Sequence, residues 1–152
     1  CNPWSGVVTN EIDASLIDLS PSATPAKLEI LDIGPLSDVA TRASVSTSQL
    51  SEVTGRTSGF NAMQVGALAA YYKFQIDGKS YCFKNLFEVE SPFGAPGVIK
   101  RGDSGAPVCI DGASGKEWAG MIVGRDSFKG YAIFAETVMD WVKSEGYALS
   151  VK

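Results

Sequence analysis

The sequence predicts an all-β protein, a closed antiparallel β-barrel followed by one C-terminal α-helix. Three observations lead there. Short runs rich in Val, Ile, Tyr and Phe recur between Gly, Pro and Ser punctuation, at the spacing of barrels. An Asp77-Gly78 pair sits between two such runs, and Asp-Gly is a strong two-residue hairpin signal because both positions tolerate positive φ. Helical periodicity is confined to Glu136–Ser144, where Val138, Trp141 and Val142 recur at i, i+3 and i+4 and would pack one face onto the sheets.

The elements follow in order. Ala14–Leu19 reads as a strand, Ser20–Pro25 interrupts it with two prolines, and Lys27–Ile33 is the next strand. Asp38–Val53 is polar, with Ser and Thr throughout, and mixes loop with strand. Val65–Ile76 leads into the Asp77-Gly78 turn, Ser80–Val89 is the return strand, and Ser91–Gly97 is a Pro/Gly loop. Ala106–Ile110, Trp118–Val123 and Gly130–Phe134 are strands, with a turn over Asp111–Lys116. Repeats and low-complexity tracts are absent.

Composition sets outer limits. The 152 residues suffice for one domain with a real core. Hydrophobic residues at 45% and charged residues at 20% are ordinary for a globular protein. With 13 basic and 17 acidic residues the net charge is −4, which gives no electrostatic reason to expect nucleic acid or an anionic membrane as partner. No apolar run approaches the roughly 20 residues that span a bilayer. The three cysteines, Cys1, Cys82 and Cys109, have no metal-binding spacing, and no cofactor or metal is expected. One disulfide could join Cys82 to Cys109 if their strands are adjacent; buried free thiols are the alternative, and the redox compartment stays open.

The chemistry is concentrated in Lys100-Arg101-Gly102-Asp103-Ser104-Gly105-Ala106-Pro107-Val108. Glycine ahead of the serine lets the backbone turn so that two amides can face one point, as an oxyanion hole requires; the donors would be those of Gly102 and Ser104. Asp103, between them, must be buried and paired for the turn to hold. Ser104 is then a candidate nucleophile. A serine hydroxyl needs a base to take its proton, and the sequence contains no histidine. A bare Gly/Asp/Ser turn without chemistry is the plain alternative.

Four stretches in order resemble the chymotrypsin-like serine peptidases: Glu11–Leu19, Val53–Gly59 (Val-Thr-Gly-Arg-Thr-Ser-Gly), the serine motif, and Ala119–Gly124 with Gly130–Ala135 and the helix bearing Trp141. The resemblance implies a Greek-key barrel, the second of that family's two, together with the end of the first. Residues 1–35 would be the remnant of the first barrel, 36–134 the second barrel, and 135–152 the terminal helix and tail. It places the triad acid at Asp13, the nucleophile at Ser104 and the triad histidine upstream of Asp13, beyond this sequence. Its primary pocket would lie at Val98 and Ile99, with no acid there and hence a preference for a medium apolar residue. Gly130 would leave that pocket open, and Ile122, Val123 and Gly124 would pair with an extended peptide.

The implied activity is peptide-bond hydrolysis through a Ser-His-Asp triad, with this chain alone inactive. The implied partners are a peptide or protein substrate and a histidine-bearing N-terminal fragment of the same protein, or a second copy covering an open barrel edge. A binding module that reuses the protease fold without hydrolysis is the rival reading. A cysteine enzyme built on Cys109 is a weaker one, since that residue sits in an apolar strand with no base nearby.

Overall fold

The computed structural model describes residues 9–10, 12, 14, 29–76 and 78–149. The expected strand Ala14–Leu19 lies outside the described residues apart from Ala14, which is not in a strand. The elements are β1 (Thr9–Asn10), β2 (Glu29–Ile30), β3 (Gly34–Pro35), β4 (Asp38–Val39), a 3-10 turn (Arg42–Ser44), β5 (Leu50–Gly55), β6 (Gly59–Val65), β7 (Ala70–Ile76), β8 (Lys79–Glu90), β9 (Pro107–Gly112), β10 (Gly115–Arg125), β11 (Lys129–Phe134) and α1 (Ala135–Ser144).

Six strands close a ring. β5 pairs β6, β6 pairs β8, β8 pairs β11, β11 pairs β10, β10 pairs β9, and β9 returns to β5, every pair antiparallel. Two runs of three ring strands, β5, β6 and β8 (with β7 between the last two but outside the ring) and β9, β10 and β11, are thus joined by one long crossover, from β8 to β9, which is Greek-key connectivity. That crossover, residues 91–106, carries the serine motif. The ring has no free edge of its own. Among the described residues the strands with an unpaired side lie outside it, as in β7, which pairs only with β8.

Alternation along the strands explains the closure. Inward positions such as Val53, Met63, Val65, Phe87, Val89, Val108, Ile110, Ile122 and Phe134 are buried and form one cluster inside the barrel. A second cluster lies outside it, where Val138 and Val142 of α1, with Trp141 partly buried beside them, pack near Ile133, Phe83 and Leu86. The helical spacing seen in the sequence therefore covers the outer face of the barrel.

Val65–Ile76 is not one strand. β6 ends at Val65 and β7 begins at Ala70, with Ala69 at φ 59. The whole stretch nevertheless follows one side of β8, since Gly66 N donates to Glu88 O and Glu88 N donates to Ala67 O across the break. The irregularity re-aims the outer half of the arm. Ile76 pairs with Lys79, so two residues separate β7 from β8; of the expected Asp77-Gly78 turn, Asp77 lies outside the described residues. The β7–β8 hairpin projects beyond the ring, and a ring stack runs along it: Tyr131–Tyr72 at 4.8 Å, Tyr72–Phe74 at 5.9 Å and Phe74–Phe83 at 5.5 Å.

Cys82 and Cys109 do not pair. β8 and β9 are not neighbours in the ring; Cys82 is disulfide-bonded, and Cys109 is a free, buried thiol.

Candidate active site

The serine turn is fixed from inside the protein. Asp103 is 1% exposed, and its carboxylate accepts from three backbone amides on two segments. Lys100 N donates to Oδ2 at 2.7 Å, and Thr57 N and Ser58 N donate to Oδ1 at 2.8 and 3.1 Å; the Ser58 hydroxyl donates to Gly59 O at 3.3 Å. Burial pushes the carboxyl pKa up, but the bonds from the amides of Lys100, Thr57 and Ser58 outweigh it and hold it below the ordinary aspartate value. Thr57 and Ser58 sit in the β5–β6 hairpin, within the Val53–Gly59 stretch. Its Gly55 is required there: a Cβ would lie 2.4 Å from Asp103 Oδ1.

The turn is also tied to the barrel. Gly105 N donates to Ile122 O at 2.8 Å, Ile122 N to Ala106 O at 2.9 Å, and Ala106 N to Asp103 O at 2.9 Å. Asp103 N donates to Lys100 O at 3.2 Å. Among the described residues the amides of Gly102 and Ser104 have no acceptor, although the two that alternate with them, at Asp103 and Gly105, are both engaged. Gly102 has φ +97, and Ser104 is exposed. Two free amides flanking one bound carboxylate are the raw material of an anion-binding nest.

Two cavities border Ser104. One, of about 310 Å³, is lined by Gly102, Ser104, Ile99, Lys100, Arg101, Ile122, Val123, Gly124 and Arg125, with Tyr72 and Phe74 of β7 as a wall. The other, of about 500 Å³, lies between Ser104–Gly105 and α1 and is lined by Ala14, Trp118, Met121, Ile122, Val138, Trp141, Val142 and Leu149.

Of the predicted site residues, Ser104, Gly102, Ile99, Ile122, Val123 and Gly124 come together on the first cavity. The β9–β10 ladder ends at Pro107–Met121, extended by the bonds to Ile122; past it, Val123–Arg125 have β11 on one side and, among the described residues, no strand on the other. Asp13 lies outside the described residues. Val98 and Gly130 do not line the cavity. Val98 packs against the barrel core, and Gly130 is buried, with the space beside its Cα taken by Val89, Ile99 and Ile122; a Cβ there would lie 2.9 Å from Val89 and 3.0 Å from Ile99. The open pocket expected at Gly130 is therefore occupied by core side chains, and Ile99, 4% exposed, is largely one of them.

Tyr72, Phe74 and Arg125 are cavity residues that the sequence does not single out. Tyr72 lies over Gly124, where a Cβ would come within 2.0 Å of its ring, and its hydroxyl donates to Arg125 O at 3.1 Å. The period-2 pattern of β7 marks its two faces, but no local signal says which of them meets residue 104. Cys109 is inert: burial, with the Glu52 charge, pushes its thiol up to about 12, so no thiolate is present at neutral pH. Among the described residues no group of acids and cysteines could hold a metal ion.

The ring order, the terminal helix and a serine motif on the crossover together decide the architecture. The fold is that of a chymotrypsin-like serine protease. A solved structure described as a glutamic-acid-specific serine protease that uses a histidine triad in substrate binding superposes with a TM-score of 0.55 at 16% identity, covering 84% of this chain and 62% of that one. The chain thus spans less than two thirds of that protein. No family model matches the sequence, and no curated protein does.

Proposed function

We propose that this chain carries the nucleophile, the oxyanion donors and the substrate cleft of a serine endopeptidase, with its histidine supplied by polypeptide outside the 152 residues. The observation that carries the reading is the turn at 102–105: an exposed serine, two unengaged amides, and a buried carboxylate that holds them in place. A turn held only for structure would have no need to leave those amides unpaired beside a cleft.

The steps follow from the groups. The incoming imidazole takes the Ser104 hydroxyl proton as Oγ bonds to the scissile carbonyl carbon. The carbonyl oxygen gains the negative charge and accepts from the amides of Gly102 and Ser104. Collapse expels the amine, which takes the proton from the imidazolium, and water repeats the sequence on the acyl-enzyme. Asp13 would orient the imidazole and stabilise its cation. The neighbour's histidine triad has no counterpart within these 152 residues, which hold no histidine.

A fluorophosphonate reporter tests the reading on the full-length protein. Labelling at Ser104 that is lost in Ser104→Ala is expected. No labelling of the folded full-length protein would favour the rival reading, a binding module on the protease fold, which rests on the missing histidine.

A further inference from the structure

The ring closes from two halves. β5, β6 and β8 precede the β8–β9 crossover in the chain, and β9, β10 and β11 follow it. The halves meet at two antiparallel seams. At one, Phe87–Glu90 of β8 face Lys129–Ala132 of β11; at the other, Ser51–Val53 of β5 face Val108–Ile110 of β9. The buried Asp103 carboxylate adds a third tie, since it belongs to the second half and accepts from Thr57 N and Ser58 N of the first. Lys129 reaches across the first seam to Glu88. The crossover is thus the main-chain link between two halves that non-covalent contacts already hold.

The first part of that crossover is weakly fastened. The β8 ladder ends at Glu90, and Ser91-Pro92-Phe93-Gly94-Ala95-Pro96-Gly97 joins no strand; from Phe93 to Gly97 it is exposed. Phe93 N donates to Ser91 Oγ at 3.3 Å and Gly94 N to Ser91 O at 3.0 Å, both within the loop, and Gly97 N donates to Ser127 O at 2.9 Å. Pro92 and Pro96 have no N–H to add. Phe93 is 93% exposed, more than any other large apolar side chain among the described residues. The other exposed aromatics are fastened by their backbone. Phe60 and Tyr71 lie in β6 and β7, Phe128 N donates to Asp126 Oδ1 at 2.7 Å, and Tyr147 N donates to Val142 O at 3.1 Å.

A peptidase takes its substrate extended, so a cut segment must first leave its own contacts, and loop tips with few contacts are where nicking concentrates. Here opening costs the Ser91–Gly94 turn and little else. Ser91–Pro92 and Ala95–Pro96 are tertiary amides whose proline nitrogens carry no N–H. Phe93–Gly94 is the bond of this loop that follows an aromatic side chain. Lys100-Arg101 is a contrast: it is equally exposed, but Lys100 N donates to Asp103 Oδ2 at 2.7 Å and Asp103 N to Lys100 O at 3.2 Å.

We propose that Phe93–Gly94 is a processing site for an endopeptidase that accepts an aromatic residue on the acyl side, and that its product is a two-chain protein in which the ring and the serine turn persist. Water adds across the amide, leaving a carboxylate on Phe93 and an ammonium on Gly94, both in an exposed loop where solvent hydrates them. The cut touches none of the bonds made by Asp103, Gly105 or Ala106. It is also independent of whether Ser104 acts as a nucleophile.

Brief digestion of the folded full-length protein tests this, in a Ser104→Ala background so that only the added enzyme cuts. With chymotrypsin, mass spectrometry should find Gly94 as the first new N-terminus within residues 29–149. The two pieces should co-elute in size-exclusion chromatography and separate only in denaturant. Trypsin should cut at Lys100-Arg101 about tenfold more slowly or less, because that loop must first break its Asp103 contacts. Phe93→Gly, at a side chain open to solvent, should keep the parent's melting temperature and lose the cut. The site is overturned by a first cut elsewhere in that range, by a Gly94 cut undiminished in Phe93→Gly, by trypsin cutting at Lys100-Arg101 as fast, or by no cut of the folded protein under conditions that digest the denatured one. Pieces that separate without denaturant overturn the two-chain product, because the seams would then depend on the crossover.

Discussion

The two cavities that meet at Ser104 are built of different materials. On one side the walls are cationic and aromatic, and every lining residue comes from the serine loop, β7 or β10. On the other, Trp118, Met121, Val138, Trp141 and Val142 make a broad apolar floor, with Ala14 and Leu149, from the two ends of the chain, among its lining residues. The first side is a finished cleft, already suited to a polar ligand. The second is a broad apolar surface. On the proposed reading the missing histidine reaches Ser104 from the second side, and substrate lies in the first.

That division makes its largest prediction at the shared residue. In the full-length protein Ser104→Ala should lower peptide hydrolysis by about 10⁶-fold, as loss of a nucleophile that works as a unit with its base does, while peptide titrations on the cationic side keep their affinity. Activity surviving in Ser104→Ala would break the comparison, because the two sides would no longer meet at the reacting atom.

The next largest effect concerns what holds both sides together. Asp103→Asn leaves amide donors facing an NH2 group in a site that is 1% exposed, and should cost about 3 kcal/mol, or roughly 6–12 °C in melting temperature. The same carboxylate sets an acid limit. Its folded pKa lies below the unfolded one, so the stabilisation is complete at neutral pH and is lost as pH falls from the ordinary aspartate range through the lower folded value. Asp126, also lowered once the bonds from Phe128, Tyr131 and Lys129 outweigh its burial, acts in the same direction. Acid titration of Asp103→Asn isolates its share: the variant should lose less stability than the parent between neutral pH and acid.

Gly124→Ala sharpens the contrast from the cleft side. The new Cβ would meet the Tyr72 ring and push β7 outward, at about 1–3 kcal/mol of overpacking. Peptide affinity on this side should fall with it, whereas Trp141→Ala, on the apolar floor, should leave that affinity unchanged.

The sequence was legible where the signal is local. The Asp77-Gly78 turn needs only two residues of the right type, and the α1 stripe only a period. β6 escaped because Gly59-Phe60-Asn61-Ala62-Met63-Gln64-Val65 buries just Met63 and Val65; it is a strand because β5 and β8 hold its two sides. The serine motif was readable as a turn, and Asp103 as a group needing partners. That those partners are Thr57 and Ser58 could not be read, since no pattern links a hairpin tip to a loop so far along the chain. The cationic lining of the cleft was hidden for the same reason: Arg125 joins Lys100 and Arg101 only through the barrel's closure.

The smallest effect tests the remaining nucleophile. The Cys109 thiol is raised to about 12 by burial and by Glu52, whereas an unfolded thiol ionises near pH 8.5. Above that pH the unfolded chain sheds a proton that the folded one keeps, so stability should decline, with a slope approaching about 1.4 kcal/mol per pH unit. Tyr131, also raised by burial and by Asp126, adds a loss of the same sign only where an unfolded tyrosine ionises, near pH 10. Between about pH 8.5 and 10 the decline therefore belongs to Cys109, and denaturant midpoints of Cys109→Val should be flat across that window. A sloping Cys109→Val profile would mean that another group titrates there. Alkylation of the native thiol at neutral pH would mean that the barrel opens at β9, next to the turn on which both cavities depend.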